Sequence, residues 1–134
     1  MFCFDTDTIS AVIGRVPPLP VVRRLALLAP TEQFTTTITY GELLYGARKR
    51  GSATIEQRVE SLADAMTILP FDAPAASIYA TLRADLEGRG RRLDEPDLRI
   101  ASIVLNHGLT LVTANVRHFA RAEGLPIENW LTTN

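Results

Sequence analysis

Short apolar runs alternate along the chain with longer segments in which apolar residues recur every three or four positions. The short runs have the length and composition of buried strands, and the longer segments have helical spacing. We predict strands at residues 1–5, 34–38, 67–71, 109–113 and 127–131. Strands that alternate with helices in this way indicate a parallel sheet covered by helices on both faces.

Capping residues and glycines indicate where the intervening helices begin and end. Thr39 and Glu42 have the spacing of a capping box, Asp94 is a candidate N-cap, and Gly108 is predicted to end a helix in the left-handed conformation. The predicted helices cover residues 6–13, 21–28, 39–50, 54–65, 73–87, 95–107 and 116–122.

Length and composition are those of one folded domain, predicted to span residues 1–134. The chain is 46% hydrophobic and 22% charged, and Cys3 is its single cysteine, so no intrachain disulfide can form. No apolar stretch approaches the length of a membrane span, and Asp5 interrupts the N-terminus too early for a signal peptide. We therefore expect a cytoplasmic protein that does not enter a membrane.

Basic residues are almost all arginine, although the formal net charge is only −1. Thirteen of the 14 basic residues are Arg, with clusters at residues 48–50, 89–92 and 117–121. Guanidinium groups match phosphates in two-point geometry, so such clusters can bind nucleic acid locally. Cations also stabilise helix C-termini, so solvated helix ends are an equal alternative for any one cluster.

Four oxygen-bearing side chains lie where strands give way to helices: Asp5, Glu42, Asp97 and Asn115. The carboxyl ends of parallel strands meet at one edge of a sheet, so we expect these side chains to converge. Three carboxylates repel one another unless a cation lies between them, and oxygen ligands favour Mg²⁺ or Mn²⁺. The sequence thus predicts a metal site. Each residue also has a structural alternative, such as helix capping for Glu42.

An ordered set of motifs resembles the PIN-domain ribonucleases of the VapC toxin type, the toxic half of bacterial toxin–antitoxin pairs. The match covers nearly the whole chain, and the set is more specific than any one motif. In order, the motifs are Asp5-Thr6-Asp7-Thr8-Ile9-Ser10, Glu42-Leu43-Leu44-Tyr45-Gly46, Asp97-Leu98-Arg99-Ile100-Ala101, Leu109 to Asn115, and the tail Ile127 to Leu131.

The resemblance implies a PIN-like three-layer α/β/α fold with a central parallel sheet of four or five strands. It also implies an endoribonuclease toxin that cleaves RNA with Mg²⁺ or Mn²⁺ and leaves a 5′-phosphate and a 3′-hydroxyl. Asp5 and Asp97 would hold the ion directly, and Glu42 directly or through water. Asn115 would be the fourth catalytic residue. A small VapB-like antitoxin would neutralise the protein, which would form a homodimer or a toxin–antitoxin hetero-oligomer.

Other residues near the motifs receive supporting or structural interpretations. Thr6 and Thr113 are expected to order the site through their hydroxyl groups. Asp7 stands where the family usually has Asn; we interpret it as an N-cap, with support of the metal or added negative charge as alternatives. Asn115 stands where many PIN domains have Asp, and a neutral amide can orient water but supplies no charge. His118 follows Asn115 by one helical turn and could contact RNA; we interpret it as a solvated histidine, with RNA contact as the alternative.

Two other functions fit part of the sequence. Asp5-Thr6-Asp7 after an apolar strand also resembles the signature of haloacid-dehalogenase-like phosphatases, in which Asp5 would be the nucleophile and Asp7 the acid/base. A phosphorylated Asp5 would identify this activity. The chain could instead be a non-catalytic PIN-like binding module, which would bind no Mn²⁺ at millimolar concentration.

Overall fold

Five short parallel strands form one sheet at the centre of the protein. The coordinates are a computed structural model, and the structure describes residues 1–131. The strands lie in the order β3-β2-β1-β4-β5, and every pair is parallel. They are β1 (Phe2–Phe4), β2 (Gln33–Thr36), β3 (Thr67–Leu69), β4 (Thr110–Val112) and β5 (Ile127–Glu128).

Eight helices connect the described strands, and a 3₁₀ turn at Pro30–Glu32 leads into β2. The helices are α1 (Thr6–Ile13), α2 (Leu19–Ala26), α3 (Thr37–Arg50), α4 (Ala53–Glu60), α5 (Leu62–Ala65), α6 (Ala73–Gly88), α7 (Glu95–His107) and α8 (Val116–Phe119). Among residues 1–131, none of them has both the length and the apolar character that a membrane crossing requires.

Two hydrophobic cores lie on opposite faces of the sheet. Neighbouring residues of a strand point to opposite faces, so Cys3 and Leu111 enter one core while Phe4 and Val112 enter the other. Helices α6 and α7 cover the first core, and helices α1, α2 and α4 cover the second. The prediction of a three-layer α/β/α fold with a parallel sheet of four or five strands is confirmed.

The central strand β1 aligns the carboxyl ends of its two neighbours. In the register of the sheet, Cys3 pairs with Phe34 of β2 and Phe4 pairs with Val112 of β4. Just beyond the strand, the Asp5 N–H donates to the Val112 carbonyl at 3.1 Å. The residues that follow β1, β2 and β4 are therefore held side by side at one edge of the sheet.

Helix boundaries agree with the sequence in most places, and two differences lie at the starts or breaks of helices. The helix predicted for residues 54–65 is divided at Ser61 into α4 and α5. The capping box at Thr39 is wrong, because α3 begins earlier and Thr36 caps it: the Thr36 hydroxyl accepts from the Thr39 N–H at 3.1 Å. The left-handed C-cap at Gly108 is confirmed, with φ of 63°.

Candidate metal centre

Asp5 lies at the junction of β1 and α1 and is almost completely buried, with 4% of its surface exposed. Its side chain caps α1 by accepting the Thr8 N–H at 2.9 Å. Burial raises the pKa of Asp5, while the neighbouring Thr113 side chain and the Thr8 N–H lower it. A charged Asp5 at neutral pH is thus held in an environment that favours its protonated form.

Glu42 lies within α3 and is oriented by a threonine from another helix. The Thr6 hydroxyl donates to Glu42 Oε1 at 2.7 Å and lies 3.2 Å from the Thr39 hydroxyl. This contact joins the first turn of α1 to α3 and aims the exposed Glu42 carboxylate toward the sheet edge. The predicted supporting position of Thr6 therefore has a physical basis.

Asp97 lies in the first turn of α7 and is partly buried. Burial raises its pKa; the nearby His118 lowers it, and the negative charges of Asp94, Glu42 and Asp5 raise it further. These electrostatic effects require the carboxylates to be close neighbours, although they come from three separate helices or strand ends. The structure thus places Asp5, Glu42 and Asp97 close enough for their charges to interact. The expectation that each of them follows a strand is wrong for Asp97, because α7 follows α6. Among residues 1–131, the compact group of ligand atoms is that of Asp94, Asp97 and His118.

Asn115 lies at the same edge but does not join the carboxylates through its side chain. Its backbone N–H donates to the Thr113 hydroxyl at 2.9 Å, and its exposed side chain makes no hydrogen bond within residues 1–131. Thr113 is buried at the end of β4 and affects the pKa of Asp5. Thr113 therefore has the clearer connection to the site, and a catalytic Asn115 stays a prediction.

The interpretation of Asp7 as an N-cap is wrong, because Asp5 fills that position. Asp7 lies in the first turn of α1, where it is exposed. Its charge contributes to the raised pKa of Asp5. Of the alternatives considered from the sequence, added negative charge at the site is the one that fits.

His118 belongs to the site, and its interpretation as a solvated side chain is wrong. Its Nε2 atom lies 3.1 Å from Asp97 Oδ2, and only 18% of the side chain is exposed. Nε2 is itself buried and has no hydrogen-bond partner in the described part of the chain, because its approach to Asp97 lacks hydrogen-bond geometry. One helical turn separates His118 from Asn115, and this spacing is the sequence signal from which its position at this edge could have been found.

The donor atoms at this edge fit a divalent cation. Carboxylate oxygens and an imidazole nitrogen are metal ligands, and one ligand atom each from Asp94, Asp97 and His118 lies within 4.8 Å of the others. An orphaned buried nitrogen is costly unless something binds it. The negative charges around Asp97 are likewise costly without a compensating cation.

Beside the carboxylates, a cavity of about 470 Å³ opens between α1, α3 and α4. Arg15 and Arg50 line it together with Glu42, and neither arginine has an ion-pair partner among residues 1–131. Arg48, next in the same basic cluster, instead pairs with Glu56. The cluster at residues 48–50 is therefore mixed, with one arginine paired at the surface and one facing the site.

Comparison with known proteins identifies the family of this chain. A model of the PIN domain matches residues 2–125. The chain is 33% identical to ribonuclease VapC2 of Haemophilus influenzae, over 97% of this chain and 98% of that protein. It is 34% identical to the tRNA(fMet)-specific endonuclease VapC of Shigella flexneri, over 96% and 97% of the two chains.

A solved structure has the same fold. The chain superposes with a TM-score of 0.89 on a chain in the crystal structure of VapBC2 from Rickettsia felis bound to a DNA fragment from their promoter. The two are 29% identical, and the match covers 96% of this chain and 98% of the other. The fold and site define a protein with a cluster of acidic side chains at the edge of a parallel sheet. The chain belongs to the PIN-domain family, among proteins of the VapC type.

Proposed function

We propose that this protein is a metal-dependent endoribonuclease toxin that is neutralised by a small antitoxin. The observation that carries the proposal is the convergence of Asp5, Glu42 and Asp97 at the carboxyl edge of the sheet. Membership of the PIN family and the ribonuclease names of its relatives support it. The geometry favours this function over the two alternatives.

Asp5 and Asp97 are the proposed direct ligands of a Mg²⁺ or Mn²⁺ ion. Asp5 is held by its bond to the Thr8 N–H. Asp97 lies in the first turn of α7, with Oδ2 3.1 Å from His118 Nε2. When bound, the cation offsets their charge and polarises the scissile phosphate. Asn115 is the proposed fourth residue, which orients water through its neutral amide.

Glu42 is the proposed third ligand, direct or through water, and the proton acceptor for the attacking water. It is the most exposed of the three carboxylates, and the Thr6 hydroxyl holds one of its oxygens. The other oxygen has no hydrogen-bond partner within residues 1–131, and we propose that it faces the substrate. A carboxylate within hydrogen-bond reach of the attacking water is suited to accept its proton.

The cavity beside Glu42 is the proposed path of the RNA chain. Arg15 and Arg50 supply unpaired positive charge for backbone phosphates. The cavity is also lined by Ile13, Leu43 and Ile55, which offer apolar surface to a base. Phosphates held here lie next to the carboxylates, so the scissile bond is presented to the proposed metal.

Partners and context follow the same proposal. Solved relatives include VapBC complexes from Rickettsia felis and nontypeable Haemophilus influenzae. We propose a VapB-like antitoxin partner, assembly as a homodimer or as a toxin–antitoxin hetero-oligomer, and action in the cytoplasm on RNA. Residues 1–134 are proposed to act as a single PIN domain, since the family match spans residues 2–125.

Haloacid-dehalogenase-like phosphatases, which the first alternative resembles, also need a lysine near the phosphate that the nucleophile attacks. Lys49 is the only lysine, and it lies in the last turn of α3 over the Tyr45 ring, 5.8 Å from its centre. Asp7, the acid/base of this alternative, is an exposed residue in the first turn of α1. The binding-module alternative does not account for three carboxylates kept together at an electrostatic cost.

Cleavage of RNA by the purified protein tests the proposal. We expect wild type to cut RNA with Mg²⁺ or Mn²⁺ but not with chelator, and Asp5→Asn to lose at least about 100-fold in rate while remaining folded. Addition of the cognate antitoxin is expected to stop cleavage. Full activity of Asp5→Asn, or cleavage that persists in chelator, contradicts the proposal.

A further inference from the structure

Asp94, Asp97 and His118 form a compact cluster with mixed oxygen and nitrogen ligands. Asp94 immediately precedes α7, Asp97 lies in its first turn, and His118 lies in α8. One ligand atom from each residue lies within 4.8 Å of the other two. Two separate helices therefore present their ligands to the same point.

The position of His118 Nε2 gives the second, independent observation. Buried polar atoms in proteins almost always have a hydrogen-bond partner, yet this nitrogen has none within residues 1–131. It lies 3.1 Å from Asp97 Oδ2 without hydrogen-bond geometry. Neighbouring ligands of one octahedral ion, each about 2.1 Å from it, are separated by roughly 3 Å. The separation is that of two ligands on one ion.

Charge also favours a cation in this cluster. The negative charge of Asp94 lies close enough to disfavour the charge of Asp97, and the His118 imidazole lies 3.1 Å from Asp97 Oδ2. A divalent ion bound at this cluster offsets two negative charges. A direct ion pair between His118 and Asp97 explains the cluster less well, because it would align an N–H with the carboxylate.

We propose that Asp94, Asp97 and His118 bind one divalent transition-metal ion, with Mn²⁺ preferred to Mg²⁺. An imidazole ligand suits transition metals, whereas Mg²⁺ prefers a complete set of oxygen ligands. The inference rests on the proposed function only in that Asp97 is shared with the proposed nuclease site. In this proposal, the preference for Mn²⁺ over Mg²⁺ depends on the nitrogen ligand that His118 supplies.

Site-specific binding is measured on the full chain with three variants. Histidine-ring NMR signals are followed while Mn²⁺ is added, and Mn²⁺ and Mg²⁺ affinities are measured by calorimetry. The variants are His118→Gln, His118→Glu and, as the matched control, His107→Gln. His107 is exposed in the last turn of α7, at the opposite end from Asp97.

We expect paramagnetic Mn²⁺ to broaden the ring signals of His118 well before those of His107. His118→Gln should weaken Mn²⁺ binding about tenfold or more and change Mg²⁺ binding by less than about threefold, because the lost ligand is a nitrogen. His118→Glu should strengthen Mg²⁺ binding, because it completes an oxygen set. His107→Gln should change neither.

Two results overturn the inference: equal broadening of both histidines, or an unchanged Mn²⁺ affinity in His118→Gln. The Asp5→Asn variant separates this inference from the proposed nuclease function. If that variant keeps the Mn²⁺-broadened His118 signal while wild type cuts no RNA, the cation site stands and the nuclease proposal fails. If wild type cuts RNA but His118→Gln binds Mn²⁺ with the wild-type affinity, the nuclease proposal stands and the cation site at His118 fails.

Discussion

Asp5 combines a structural contact with an electrostatic cost. Its side chain caps α1, yet it is buried at 4% exposure and faces other carboxylates. Burial is the main cause of its raised pKa, and the charge of Asp7 adds to the effect. An asparagine at this position keeps an oxygen to accept the Thr8 N–H but removes the charge. The cap and the charge can therefore be separated by one substitution.

Without metal, Asp5→Asn is expected to be more stable than wild type at neutral pH, by a few degrees in Tm. The pKa of Asp5 is higher in the folded protein than in the unfolded chain, so folding is favoured while this carboxyl is protonated. This stabilisation is lost as the pH rises from the ordinary aspartate pKa through the raised pKa of the folded state. The advantage of the variant should therefore shrink toward acidic pH. Thermal unfolding in chelator across this range measures it.

The matched control is Asp7→Asn, which removes a neighbouring charge that is exposed. Exposed substitutions usually change stability by less than about 0.5 kcal/mol. An advantage of Asp5→Asn that is equally large at acidic and neutral pH would show that its cause is packing and not the buried charge.

Thr6→Val is expected to reduce the rate of RNA cleavage about five- to tenfold, with little change in KM. The valine removes the hydroxyl that donates to Glu42 Oε1 at 2.7 Å but keeps the shape of the side chain. Loss of one such bond corresponds to about 1–1.5 kcal/mol. Thr6→Ser, which keeps the hydroxyl, should retain most of the rate in steady-state assays; a loss in both variants alike would mean that the hydrogen bond is not what matters.

At the scale of elements, local patterns predicted most strands and helices but not the order of strands. The apolar runs around Cys3 and Leu111 mark buried strands because both strands are covered on both faces. The order β3-β2-β1-β4-β5 depends on how each helix packs on the sheet, which is information from distant residues. The position of Asp5 at this edge was predictable because it directly follows β1. Asp97 follows no strand: α7 comes after α6, so its first turn reaches the edge only through packing between elements.

The missed features share one physical reason: each depends on contacts between elements. His118 contacts Asp97 from a helix that follows a different strand, and no local spacing specifies that distance. Likewise, Thr36 and Thr39 both have capping chemistry, so sequence alone does not select between them. Thr36 caps α3 because β2 continues up to that residue.

Thr36→Ala is expected to destabilise the protein by about 1 kcal/mol, because it removes the cap of α3. Thr36→Ser keeps the accepting hydroxyl and should lose clearly less. Chemical denaturation of both variants measures the difference. Equal losses in both would indicate that the buried methyl group, and not the cap, carries the effect.

The face shared by α1, α3 and α4 is expected to set RNA affinity. Arg15→Gln and Arg50→Gln should each raise KM for RNA about threefold or more with little change in kcat, because each removes a phosphate contact. The slope of affinity against salt should also fall by about one in each variant. Arg48→Gln is the control, since Arg48 is exposed and pairs with Glu56. Equal effects at Arg48 would indicate general charge attraction.

At the scale of the whole molecule, the near-neutral net charge is the sum of local regions with opposite charge. The formal net charge is −1, yet three carboxylates lie at one sheet edge and unpaired arginines lie beside them. A polyanion is attracted by the arginines and repelled by the carboxylates. A divalent cation at the edge reverses that repulsion, so metal binding and RNA binding are expected to favour each other.

The same charge distribution predicts that divalent cations stabilise the folded protein. A ligand that binds only the folded state adds about 2.7 kcal/mol at 100 times its Kd, so Mn²⁺ should raise the Tm of wild type by several degrees. Asp97→Asn should abolish most of this gain, because Asp97 lies at the centre of the carboxylates and contacts His118. Thermal unfolding with MnCl₂, compared with NaCl at equal ionic strength, separates specific binding from screening. An equal rise in NaCl would mean that the carboxylates repel one another in the folded state without holding an ion.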